Sequence, residues 1–236
     1  HPRRPEALAL GDTRALSVAA SLADSAMDLM VSLGGLAAIA YAARPADEDH
    51  AFGHSSAEDL AALGQSLFIL VSAAVIGWAA VARLLSDEPV TLANEGRGMA
   101  VMAVSIVLTV ALVGWQRYVA RRTGSRVVRA DSLHYLGDLL PNLGAIASLW
   151  ASAAFGLTSI DSIVAVGAAL MLVVGAINIF KGAFDALMDR AADDATIAGI
   201  EAVGRDFPGV RGYHDLKTRM AGSVTFVNLH IELDGN

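Results

Sequence analysis

LAALGQSLFILVSAAVIGWAAVA, residues 60–82, runs for 23 residues without a charged side chain. The hydrocarbon core of a bilayer is about 30 Å thick and takes about 20 apolar residues to cross as a helix, so this stretch is long enough on its own. Three further uncharged runs match it: Gly98–Gln116 with 19 residues, Leu139–Ile160 with 22 and Ser162–Phe180 with 19. The whole chain is 55% hydrophobic and 17% charged, with a mean hydropathy of +0.52, well away from an ordinary soluble domain. These runs predict an α-helical bundle that spans a membrane.

A fifth run, Leu29–Ala43, has 15 uncharged residues and is too short to span alone. It reaches spanning length only if its helix continues backward through SLADSAMDLM, residues 21–30, which puts Asp24 and Asp28 inside the membrane. Carboxylates four apart share one helical face. A matching pair, His134 and Asp138, opens the penultimate span in ADSLHYLGDLLPN. A single Asp at a helix centre costs roughly 2.5–3.5 kcal/mol on insertion scales, so such residues face a cavity or a functional site. Two such helices side by side would offer three carboxylates and one imidazole, a set that tetrahedral Zn²⁺ accepts. The chain has no cysteine, which excludes disulfides and thiolate ligands and restricts a metal site to His, Asp, Glu and backbone oxygen. Spacing alone leaves a second reading equally open, in which these groups hydrogen-bond across helices or line a proton path. Pro141 is expected to bend the helix near the site, and Asn142, one turn past Asp138, to pack helices or to support that carboxylate.

Orientation follows from arginine. Arg117, Arg121, Arg122, Arg126 and Arg129 crowd one loop, which the positive-inside rule assigns to the cytoplasm. Alternation then puts the loop ARPADEDHAFGHSSAED and the C-terminal segment on that side. SDEPVTLANEG and GLTS fall outside. Arg3, Arg4 and Arg14 fall on the outer side against the rule, which predicts a further span ahead of them. The net charge of −7 and the lack of a basic tract with interleaved aromatics exclude a nucleic-acid partner.

The chain divides into a transmembrane part, residues 1–190, and a cytoplasmic part, 191–236. In the second, DDATIAGIEAVGRDF has the pattern of an amphipathic helix, and VRGYHDLKTRM and VTFVNLHIEL alternate as strands about a tight turn. One helix and two strands make a thin core, so the rest of an α+β domain is expected beyond Asn236.

These segments resemble the cation diffusion facilitator family, dimeric proton-coupled exporters of divalent metals. ADSAMD and HYLGD are similar to the family's two intramembrane half-sites. PADEDHAFGHSSAEDLAALGQS resembles a loop and helix start of its bacterial zinc and iron branch, and FPGVRGYHDLKTR resembles part of its tail. The resemblance implies six transmembrane helices, of which five are recognisable, followed by a partial ferredoxin-like cytoplasmic domain. It implies a homodimer in the bacterial inner membrane. It makes Asp24, Asp28, His134 and Asp138 the transport site, Asp47, His50 and His54 a second site in the cytoplasmic loop, and His214 and His230 part of a site in the tail.

Such a cage needs neutral imidazole and ionised carboxylates, so metal and protons compete for it. With access alternating between the two sides, inward proton flow drives the metal outward. One His among carboxylates favours zinc, with cadmium, cobalt and ferrous iron as alternatives, over manganese or magnesium. A metalloenzyme would need an open coordination position and a general base, and no HExxH occurs. A membrane-anchored metal sensor or storage protein would have no use for carboxylates deep in the spans.

Overall fold

The computed structural model describes residues 22, 25–85, 96–155 and 160–233. Five long helices come first among them: α1 (Ser25–Ala42), α2 (Ser56–Leu85), α3 (Gly96–Thr123), α4 (Arg126–Phe155) and α5 (Ile160–Leu187). A short helix α6 (Asp194–Asp206) and a hairpin of β1 (Val210–Ala221) and β2 (Val224–Leu233) follow. By length and composition α1, α2 and most of α5 are apolar enough to cross a membrane. The 30 residues of α4 make it about 45 Å long.

Local signals set the helix ends. Gly124, at φ +73°, closes α3 with its N–H on the Ala120 carbonyl (2.9 Å), a left-handed position that glycine takes without a steric penalty. The next residue, Ser125, opens α4 by accepting from the Val128 N–H. Two residues therefore join two membrane-length helices. Asp193 caps α6, taking the Thr196 N–H at 2.9 Å and its hydroxyl at 2.7 Å. The same bonds, the hydroxyl's foremost, hold its carboxyl below the usual carboxylate range.

The bundle is held by small side chains. Ala62, Ser66, Ile69 and Ala73 on α2 repeat at intervals of four and three residues, as do Leu172, Ala176, Ile179 and Ala183 on α5, and all are buried. These stripes pack together and meet Val127 and Ala130 of α4. Between helices in lipid, attraction comes from close packing and not from excluded water, and small residues allow that approach. A Cβ on Gly77 would lie 3.3 Å from the Ala169 methyl, and one on Gly175 only 2.8 Å from Leu133. On the opposite faces Val71, Val75 and Trp78 of α2 and Leu170, Val174 and Ile177 of α5 stand exposed, as lipid-facing residues do.

The hairpin docks on one end of this bundle. β1 contacts both α2 and α5. At the turn, the Gly222 N–H donates to Asp59 at 2.6 Å, and Arg126 pairs with the other oxygen of the same carboxylate. Asp59 is wholly buried. Gly222 has φ +57° and sits so close to α2 that a Cβ would come within 2.8 Å of the Ser55 carbonyl. A second contact stacks Arg219 of β1 over Phe52 (4.7 Å) of the α1–α2 connection and Phe226 (4.5 Å) of β2. The ends that carry the hairpin are the start of α2, the start of α4 and the end of α5, the side to which the arginines assign the cytoplasm.

Candidate metal centre

Ser25–Ala42 is helical without a break, so α1 does run back through Asp28. Asp24 lies outside the described residues. Asp28 of α1 and His134 of α4 meet inside the bundle, with Nε2 of the ring 3.0 Å from a carboxylate oxygen. Asp138, one turn along α4, brings an oxygen to 3.9 Å from the same nitrogen. One ligand atom from each of the three lies within 4.8 Å of the others. They line a cavity of about 310 Å³, closed by Phe68, Ser72 and Leu172 among others. Phe68 also meets the His134 ring edge to face at 5.8 Å. Asn142 turns away from the cage: its side-chain amide donates to the backbone carbonyl of Asp138 (2.9 Å) and not to the carboxylate.

The loop trio is equally tight. Asp47 accepts from the His50 backbone N–H at 2.7 Å, while His50 Nδ1 lies 3.1 Å from one carboxylate oxygen and His54 Nε2 3.3 Å from the other. The His50 N–H, more than either ring, holds the Asp47 carboxyl below the usual carboxylate range. His54 is buried, with Nδ1 facing the Pro45 carbonyl (3.2 Å) and its ring edge-on to Tyr41 at 4.7 Å. A carbonyl can only accept, so it orients the ring through Nδ1 and turns Nε2 toward Asp47, the side on which a metal would be held.

In the hairpin, His214 and His230 stand directly opposite, their rings 5.2 Å apart, and His214 Nδ1 lies 3.3 Å from Glu232. The strand bulges just past His214, where Asp215 has φ +61°.

Sequence reasoning missed a polar knot one turn from the intramembrane cluster. Asp131 of α4 accepts from Gln116 of α3 (2.6 Å) and Ser32 of α1 (3.2 Å), and Ser32 lies 3.0 Å from the Tyr135 hydroxyl. Asp131 was visible at three residues before His134, on the same face as Asp138. It precedes the uncharged run, so a count of uncharged residues does not single it out. The Asp59–Arg126–Gly222 contact joins residues 67 and 163 positions apart, and no local pattern announces it.

Membrane-length helices that converge ionisable groups on one cavity are the pattern of a membrane protein that handles ions. Residues 7–188 match the cation efflux transmembrane domain, and residues 192–236 the cytoplasmic domain of cation efflux proteins. Among similar proteins is a cation-efflux pump FieF from Klebsiella pneumoniae, 39% identical over 224 residues, which are 95% of this chain and 74% of the relative. FieF pumps of Cronobacter sakazakii, at 39% over the same shares, and Serratia proteamaculans, at 40% over 94% of this chain and 73% of the relative, are alike in this. The chain belongs to the cation efflux, or cation diffusion facilitator, family of membrane transporters, and it is not an enzyme.

Proposed function

We propose that this chain exports divalent cations, zinc foremost, in exchange for protons, and that Asp28, His134 and Asp138, joined by Asp24, hold the ion midway through the membrane. One observation carries this reading: a carboxylate of α1 meets an imidazole and a carboxylate of α4, with ligand atoms from all three within 4.8 Å of each other along membrane-length helices. Ligands about 2.0–2.1 Å from a tetrahedral zinc lie about 3.3 Å apart, and the distances of 3.0 and 3.9 Å at His134 bracket that value. The donor set suits a borderline ion such as zinc, cadmium, cobalt or ferrous iron.

His134 must be neutral and the carboxylates ionised to bind, so protons displace the metal and the metal displaces protons. Exchange follows when the cage faces each side in turn. The family match over residues 192–236 supports a second role for the cytoplasmic part, the pairing of two copies of the chain. We assign residues 1–190 to transport and 191–236 to that cytoplasmic unit. Asp47, His50 and His54 serve as a further metal site, and His214 and His230 contribute to another.

Zinc flux into proteoliposomes under an imposed pH gradient tests the central assignment. Gradient-driven flux in the parent, lost in both Asp28→Ala and Asp138→Ala, is the expected result. Flux that persists in both variants overturns the site, and a parent that binds zinc yet carries none points to a membrane-anchored sensor instead.

A further inference from the structure

The knot around Asp131 lies on the cytoplasmic side of the metal cage. His134 is three residues farther along α4 from its cytoplasmic end, so Asp131 sits about 4.5 Å nearer the cytoplasm. On α1 the order repeats, with Ser32 one turn nearer the cytoplasm than Asp28. The two facing helices thus carry a ladder of oxygens, Asp138 and Asp28 above, Asp131 and Ser32 below, and Ser32 links the lower rung to Tyr135, the neighbour of His134. A separate cavity of about 210 Å³ opens at this lower rung, lined by Ser32, Gly35, Gln116 and Asp131 and continuing along Ile39 and Val127.

The knot is more than a fastener between helices. A neutral side chain would tie α1, α3 and α4 together as well, whereas a carboxylate in a membrane bundle is costly and tends to mark an ion path. Its hydrogen-bond partners Gln116 and Ser32 are both neutral. A polar atom at the cavity also lacks a protein partner: Gln116 Oε1 is buried with none, and on the far side of Gly35, 3.1 Å from where its Cβ would stand, the buried amide of Gln65 has none either. Buried polar atoms left open around a cavity call for water or an ion there.

Building on the transport reading above, we propose that Asp131, Gln116 and Ser32 form a cation station through which a divalent ion passes from the cytoplasm before it enters the Asp28–His134–Asp138 cage. The atoms the station can offer an ion are oxygens, those of the Asp131 carboxylate, the Ser32 hydroxyl and the unpartnered Gln116 Oε1, so it holds hard or hydrated ions without preferring zinc, and it sets the rate of entry. Selectivity belongs to the cage with its imidazole.

Asp131→Asn is the test, because asparagine fills the same volume and can keep bonds to Ser32 and Gln116 while losing the charge. Proteoliposome uptake of Zn²⁺ is measured against concentration, alongside equilibrium Zn²⁺ binding by calorimetry on the whole chain. The station predicts that kcat/KM falls roughly tenfold or more with binding affinity and stoichiometry at the cage unchanged, and that Asp131→Glu restores part of the rate. Gln116→Leu, which leaves the carboxylate in place, should lower kcat/KM by a smaller factor and stands in if Asp131→Asn fails to fold. Parent-like kcat/KM in both variants overturns the station while leaving the transport reading intact. A loss of equilibrium affinity that matches the loss of kcat/KM also overturns it, by making Asp131 a ligand of the cage itself. A parent that carries no ion fails the transport reading and takes the station with it.

Discussion

Asp59→Ala should loosen the cytoplasmic hairpin from the bundle without melting the bundle. The wild-type carboxylate is wholly buried and pairs with Arg126 through one oxygen and with the Gly222 N–H through the other. Removing one partner of a buried ion pair costs about 3–5 kcal/mol, and an orphaned N–H adds about 1–3. The Arg126 side chain is 18% exposed and keeps a long contact to the Gly222 carbonyl (3.4 Å), so it recovers part of its hydration and the lower end applies. A net loss of about 3 kcal/mol at the docking surface is roughly a hundredfold change in the docked population. Hydrogen–deuterium exchange on the protein in nanodiscs reads this directly: amides at the β1–β2 turn should exchange about a hundredfold faster, with those in the middle of α2 and α5 unchanged. Exchange at the turn that changes less than threefold would refute the argument that this buried carboxylate fastens the two parts.

Gly222→Ala should weaken the same docking by at least about 1–2 kcal/mol, since alanine is strained at φ +57° and its methyl would meet the Ser55 carbonyl, and a thermal melt of the cytoplasmic part reports it. Phe52→Ala should cost about 0.5–1 kcal/mol through its cation–π contact with Arg219, and a double-mutant cycle with Arg219→Ala should return a coupling of that size. The Asp47 carboxyl, held low in the folded loop, should titrate below its ordinary 3.8. Its contribution to loop order is therefore fully present above pH 3.8 and lost as the pH falls through the lower folded value. A carboxylate ¹³C shift titration with its midpoint at or above 3.8 would contradict the His50 N–H contact.

The parts legible in the sequence were those written in short spacings. Asp28, His134 and Asp138 stand out because charge is rare in a span, and the two strands of the hairpin lie where their alternation puts them. Counting uncharged residues misjudged the extent of the helices: α4 begins at Arg126, while its uncharged run begins at Leu139. An uncharged run measures the stretch free of charge, and a helix can carry its polar business at one end. Asp131 was lost in that gap. Asp59, Arg126 and Gly222 were out of reach for another reason, since their partnership depends on how the hairpin folds back on the bundle.

The two-residue joint at Gly124 and Ser125 decides how α3 and α4 can part. Hinged so closely at their cytoplasmic ends, they can open only like tweezers, with displacement growing along their length. A 10° opening would separate the arms by roughly 2 Å at Gln116, about 12 Å from the joint, but by roughly 7 Å at the far end of α3. Gln116 and Asp131 therefore sit near the pivot, where the arms part least, yet even there about 2 Å added to their 2.6 Å contact releases the hydrogen bond that ties α3 to α4.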